Sequence, residues 1–259
     1  MSSLLSLVTN ELMKIFARTR TWIMLGLLVA VVLAMGLVVK YVADSVMSIS
    51  HALEFMNMAH GLTGLATIFT VIVAGDIVAS EFGWGTVKLL LIRPVSRGKI
   101  LLSKYISVVL FLIALLVLLF IVSYFTGLVL FGMGGAIGPD QSLPALLRAY
   151  ALSAVEMLMT ATLAFMVSSV FRSSSLAIGL SIFLMFTSGT AMLVLVGLRY
   201  TWAKYLLFAN TDLSPYFRSG EPLIEGMTLG FSVTMLVLYW LLFYGISWGV
   251  FTKRDVAGS

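Results

Sequence analysis

Long uncharged stretches alternate with short polar ones along the chain. Six stretches are long enough to cross a hydrocarbon core of about 30 Å, which takes roughly 20 residues of helix. The first, residues 21–40, runs uncharged from Thr21 to Val39 between Arg20 and Lys40. The second, 59–79, carries Asp76 near its far end, and the third, 105–131, opens after Lys104. The fourth, 149–171, contains Glu156, and the fifth and sixth cover 175–195 and 228–251. The run that opens after Lys104 stays uncharged as far as Gly138, longer than one crossing needs, so Gly132-Met133-Gly134-Gly135 is expected in a loop. Residues 21–40 read as a retained span rather than a signal peptide. The region before them is long and holds Glu11, the apolar run exceeds the usual length, and Tyr41-Val42-Ala43 is a poor cleavage site.

Two segments outside the spans carry a pattern of their own. In residues 2–19, Leu4, Leu5, Val8, Leu12, Ile15 and Phe16 fall near one helical face, while Asn10, Glu11, Lys14 and Arg18 fall largely on the other. This predicts an amphipathic helix lying in the membrane interface, with a simple polar lead-in as the plainer alternative. Residues 80–93 predict a short helix in the loop between spans two and three, with Phe82, Leu89 and Leu90 on apolar surface and Glu81 and Lys88 facing water or a partner. Pro94 should interrupt that helix, and Ser96 can cap the next.

Composition agrees with the pattern and removes the soluble classes. The 259 residues are 61% hydrophobic and only 10% charged, with a mean hydropathy of +1.10. That is too little charge to clothe a water-soluble fold, and too much apolar residue for a disordered chain. The fold class expected is an all-α integral membrane protein with six transmembrane helices. Six spans put both termini on one side. With the termini in the cytoplasm, eleven of the sixteen Lys and Arg residues lie inside, five of them between Lys88 and Lys104. The positive-inside rule therefore favours cytoplasmic termini, and it accounts for the net charge of +5 without a nucleic-acid partner. Cysteine is absent and histidine is limited to His51 and His60, so no metal site is expected.

Charge inside the spans is the candidate chemistry. Asp76 and Glu156 are the two embedded acids, and a charge at bilayer depth is costly unless paired, hydrated or neutralised. Asp76 is near enough to the cytoplasmic end to reach water, or to pair with Lys88 or Arg172. Glu156 lies too deep for easy escape to solvent; lining a transport path, titrating during a cycle and joining two helices are all open to it. Small residues at four-residue spacing (Thr160, Ala164 and Ser168; Gly245 and Gly249) predict close helix contacts. The outer segment 199–226, rich in aromatic residues, predicts an interfacial loop.

One stretch resembles a known family. Glu81-Phe82, Gly85-Thr86, Lys88, Leu90, Pro94, Ser96-Arg97, Ile100-Leu101 and Lys104 are similar to the loop of ATP-binding-cassette (ABC) permeases of the type-2 exporter class. Glu11-x-x-Lys14 in the N-terminal helix and the ending Phe251-x-Lys253-Arg254-Asp255 are similar too. The resemblance implies a permease subunit that works with a second permease copy or a related one, and with cytoplasmic ABC ATPases that bind ATP and magnesium. It makes 80–93 a coupling helix in which Glu81, Phe82, Gly85, Thr86 and Lys88, with Arg97 beyond it, contact or support the ATPase. The interfacial helix bearing Glu11, Lys14 and Arg18 would help transmit movement. It further implies short capping helices in 199–226, a bacterial or archaeal plasma membrane, and outward movement of a hydrophobic or amphipathic cargo.

The chain itself contains no Gly-x-x-x-x-Gly-Lys-[Ser/Thr] phosphate loop, so no cofactor of its own is expected. A membrane assembly or regulatory protein without a transport path is the alternative. An intramembrane enzyme is disfavoured, because two separated acids and two histidines form no recognisable nucleophile arrangement.

Overall fold

A computed structural model describes residues 4–42, 49–83, 95–135, 138, 141–171, 173–217 and 222–253. Among these residues the chain is helical without a strand, and six helical stretches are long and apolar enough to cross a membrane. The protein is an all-α, multi-pass membrane protein.

Helix α1 (Leu4–Phe16) precedes α2 (Thr19–Tyr41), the first crossing. The turn between them is closed by side chains of α2. Thr21 Oγ1 donates to the carbonyl of Ile15 at 2.6 Å and Trp22 Nε1 to that of Phe16 at 2.8 Å. These bonds occupy carbonyls that the end of a helix leaves without partners.

The second crossing is a stack: α3 (Ala52–Ala59), a 3-10 turn (His60–Leu62), α4 (Thr63–Asp76) and α5 (Ala79–Gly83). It begins earlier than the expected residue 59 because His51 acts as a helix cap, its Nδ1 accepting the Leu53 N–H at 3.0 Å. At the break between α4 and α5, the Ala79 N–H is donated to Ser168 Oγ at 3.0 Å. A backbone donor freed inside a membrane protein is thereby satisfied from within.

Helix α6 (Arg97–Phe131) has 35 residues and is about 52 Å long at 1.5 Å per residue. It is longer than the hydrocarbon core is thick, and its charged residues Arg97, Lys99 and Lys104 all lie in its first turns. It starts at Ser96 without a side-chain cap, and ends where Gly132 takes φ 74° and its carbonyl accepts the Ala52 N–H at 2.9 Å. Helices α7 (Leu143–Phe171) and α8 (Ser174–Gly197) follow. The segment after α8 holds a 3-10 turn (Thr201–Tyr205), the short α9 (Leu207–Asn210) and a second 3-10 turn (Ser214–Tyr216). The last crossing is α10 (Leu229–Lys253).

Helices α4 and α7 form the centre of the bundle, with α6, α8 and α10 packed around them. Phe55, Phe111, Phe165 and Met157 are among the large side chains sealed inside. Polar side chains in this interior turn back on their own helices: Thr70 donates to the Ala66 carbonyl at 2.9 Å and Ser169 to that of Phe165 at 3.0 Å. Helices α2, α8 and α10 leave broad apolar faces exposed, including Leu33, Phe183, Phe186 and Leu241, as suits helices solvated by lipid.

Close helix contacts fall partly where spacing placed them. Thr160, Ala164 and Ser168 are buried. Gly245 and Gly249 are not in a close contact, since a Cβ at either would meet open space. The tight approaches are at Gly36, Gly75 and Gly127; a Cβ on Gly127 would come within 2.8 Å of the Ala52 carbonyl. Four-residue spacing reveals a smooth ridge, but not whether a neighbour lies against it.

Candidate functional site

The charged start of α6 carries Lys104, fully buried although it is a lysine. Two turns of helix separate it from Arg97, and this places its ammonium between α1 and α5. Lys104 Nζ donates to Glu11 Oε2 at 2.8 Å and to Glu81 Oε1 at 2.6 Å. Lys14 Nζ closes the circuit from the other side, reaching Glu11 Oε1 at 2.8 Å and Glu81 Oε1 at 3.0 Å. Two cations and two carboxylates thus form a neutral ring across three separate elements. Burial disfavours the charge on Lys14, but Glu11 and Glu81 outweigh it and hold its ammonium above the ordinary lysine value.

This ring revises the expected placement of two acids. Glu11, assigned to the polar outer face of α1, is buried beside Val8 and Ile15, whereas the apolar Leu5 and Met13 are exposed. Glu81, expected to face water or a partner, is turned inward and buried. Both reversals have one cause. Lys104 would be an isolated buried charge without them, and an uncompensated ion in a low-dielectric interior costs several kcal/mol.

Asp76 lies one turn deeper. Arg18, from the α1–α2 turn, and Arg20, in the first turn of α2, both hydrogen-bond to its Oδ2. The partners expected from the sequence, Lys88 and Arg172, lie outside the described residues. Six charged side chains therefore tie α1 and its turn to the end of α4, to α5 and to α6, along with Asp76. Arg97 secures the start of α6 by donating from Nη1 to the Thr252 carbonyl of α10 at 3.2 Å. Above this layer, Tyr105 OH meets Thr162 Oγ1 at 2.8 Å and accepts from Trp240 Nε1 at 2.7 Å, joining α6, α7 and α10.

The remaining candidates separate from this cluster. Phe82 belongs to α5, and Gly85, Thr86 and Lys88 lie outside the described residues. Glu156 is in the other half of the bundle and is exposed rather than sealed. It lines a cavity of about 310 Å³ with His60, Arg148, Ser153, Asp212 and Phe217 among its walls. Sequence reasoning used Arg20 as a span boundary and Lys104 as a boundary and a member of the permease-like motif, without giving either a buried partner, and did not single out Asp212. The signal available for Lys104 was its position two turns inside a helix that began at Arg97.

The chain belongs to the family described as "Protein of unknown function (DUF2705)", whose model matches residues 22–257. It is 36% identical over 314 aligned residues to the uncharacterized protein YhcI of Bacillus subtilis (strain 168), covering 98% of this chain and 100% of that one. It is 32% identical over 245 residues to the uncharacterized membrane protein YdbK of the same organism, covering 94% of this chain and 99% of that one.

Proposed function

We propose that this chain is the membrane-spanning subunit of an ABC exporter, resident in the plasma membrane with both termini in the cytoplasm. The observation that carries the reading is the Glu11–Lys14–Glu81–Lys104 ring. It joins the N-terminal helix, the end of the second crossing and the start of the third at the point where the chain enters residues 84–94. A push on that segment would reach Glu81 first and through it move α1 and α6 together. Gly85, Thr86 and Lys88 form the contact with the ATPase in this scheme, while Glu81 and Arg97 support it from behind. ATP and magnesium belong to two ATPase subunits, and a second permease copy or a related chain completes the pathway. Nucleotide binding can drive export only by favouring one of two bundle conformations that hold cargo with different affinity. Sparse charge along the bundle suits a hydrophobic or amphipathic cargo.

The test is purification of the tagged full chain from its native membranes in mild detergent. An ATPase bearing a phosphate loop is expected to co-elute with ATP hydrolysis activity. Lys88→Glu should release it without lowering the melting temperature, because the substitution leaves all four residues of the ring in place. Purification without any such ATPase overturns the reading, and so does a complex whose reconstituted form hydrolyses ATP but moves no cargo.

A further inference from the structure

The cavity beside Glu156 lies away from the ion-pair ring. Glu156 is twelve residues before Ser168, which meets the α4–α5 break, and at 1.5 Å per residue this is about 18 Å along α7. Three elements wall it: the N-terminal half of α7, the 3-10 turn at His60–Leu62 with Thr63, and residues 211–217. Its volume of about 310 Å³ is at the small end of the range for ligand sites.

The charges facing it are unequal. Asp212 acts electrostatically on Glu156 across the space. Among the described residues the Glu156 carboxylate has no ionic or hydrogen-bonding partner, and Asp212 Oδ1 accepts only from Ser214, at its N–H and hydroxyl. Among the described residues Arg148 is the one cation in the lining, and its guanidinium sits over the Phe217 ring, 6.0 Å from the centroid. His60 Nε2 is engaged with Ser153 Oγ at 2.9 Å. The wall therefore presents two carboxylates on separate elements, an aromatic ring, and a deep end near the middle of a membrane helix.

We propose that this cavity binds the positively charged head, an ammonium or guanidinium group, of an amphipathic cargo. Glu156 and Asp212 receive the charge from two sides, and the aromatic and apolar wall receives the adjoining hydrocarbon. A pair of carboxylates lining one cavity favours a cation, because bringing one in relieves the repulsion between the acids. Arg148 sets the limit on affinity by placing a like charge at the rim. The assignment deepens the permease reading, naming the class of molecule moved, but binding at the cavity needs no ATPase.

The experiment uses the full-length chain in lipid nanodiscs, with dansylcadaverine as a fluorescent primary-ammonium probe and its N-acetylated, uncharged form as control. Empty nanodiscs correct for partition into lipid. Saturable binding of the charged probe is expected, with the acetylated probe at least tenfold weaker. Glu156→Gln and Asp212→Asn should each weaken binding about tenfold, and Arg148→Gln should tighten it severalfold, a gain that misfolding would not mimic. Equal binding of the two probes, or unchanged affinity in both acid variants, overturns the proposal. Saturable magnesium binding that both acid variants abolish, with no saturable probe binding, assigns the cavity to an inorganic cation instead and also overturns it. Since the measurement omits the ATPase, its failure leaves the co-purification result untouched, and the reverse holds equally.

Discussion

Lys104 shows how burial changes the value of a charge. Its side chain is 1% exposed and that of Lys14 is 40% exposed, although both touch Glu11 and Glu81. Removing Lys104 leaves two carboxylates in the interior with one partly hydrated lysine between them. Lys104→Met is expected to destabilise the protein by about 3–5 kcal/mol, whereas Lys14→Met, at the wet edge of the ring, should cost far less. Thermal unfolding in detergent distinguishes the two, and equal losses would show that the ring is not buried in solution. Adding Glu11→Gln and Glu81→Gln to Lys104→Met should restore much of the lost stability, because the penalty comes from unpaired charge rather than from missing attraction. The Lys14 contribution has a definite pH sign. Its ammonium is held above the ordinary value of 10.5, so its stabilisation is complete below that pH and is lost only as pH rises through the higher value of the folded state.

Helices meet closely only where one surface is smooth and the other can enter it. Gly127 allows α6 to lie against the start of α3, and the atom that a Cβ would strike there is a backbone carbonyl, which has little freedom to yield. Gly127→Ala is therefore expected to cost about 1–3 kcal/mol. Gly245→Ala on α10 meets open space and should be neutral or slightly stabilising, since alanine is the better helix former. Comparing expression and melting temperature of the two variants tests the assignment of each glycine. The same contrast explains which element properties were legible. The number and apolar character of the crossings could be read directly, because each crossing needs roughly 20 apolar residues. The cap at His51, which starts the second crossing early, could not. Histidine in a polar stretch has no helix-start signature until its ring is seen to accept the Leu53 N–H.

For the whole molecule, charge asymmetry argues for one direction of crossing, and the absence of cysteine makes that direction straightforward to test. Single cysteines replacing Lys253 at the end of α10 or Lys99 near the start of α6 are expected to resist an impermeant maleimide in intact cells and to react after permeabilisation. A cysteine replacing Lys204 should react in intact cells. The opposite labelling pattern would invert the molecule and turn the Glu156 cavity toward the cytoplasm.

The sequence by itself determined the all-helical membrane class and its six crossings, together with the charge bias that argues for cytoplasmic termini. Each of these follows from composition and local periodicity, since roughly 20 apolar residues in a row have few other fates in water. Only the tertiary structure decided where the charges go. Glu11 and Lys104 are 93 positions apart, and a helical wheel that puts Glu11 on the polar face cannot tell solvent from a buried ammonium. Glu156 makes the same point in reverse. Its depth along the span was legible, but a transport path, a titrating acid and a helix contact were all open to it, and only the fold places it on a cavity walled by α7, residues 60–63 and 211–217. Pairing and cavities depend on elements far apart in the chain, which local pattern does not record.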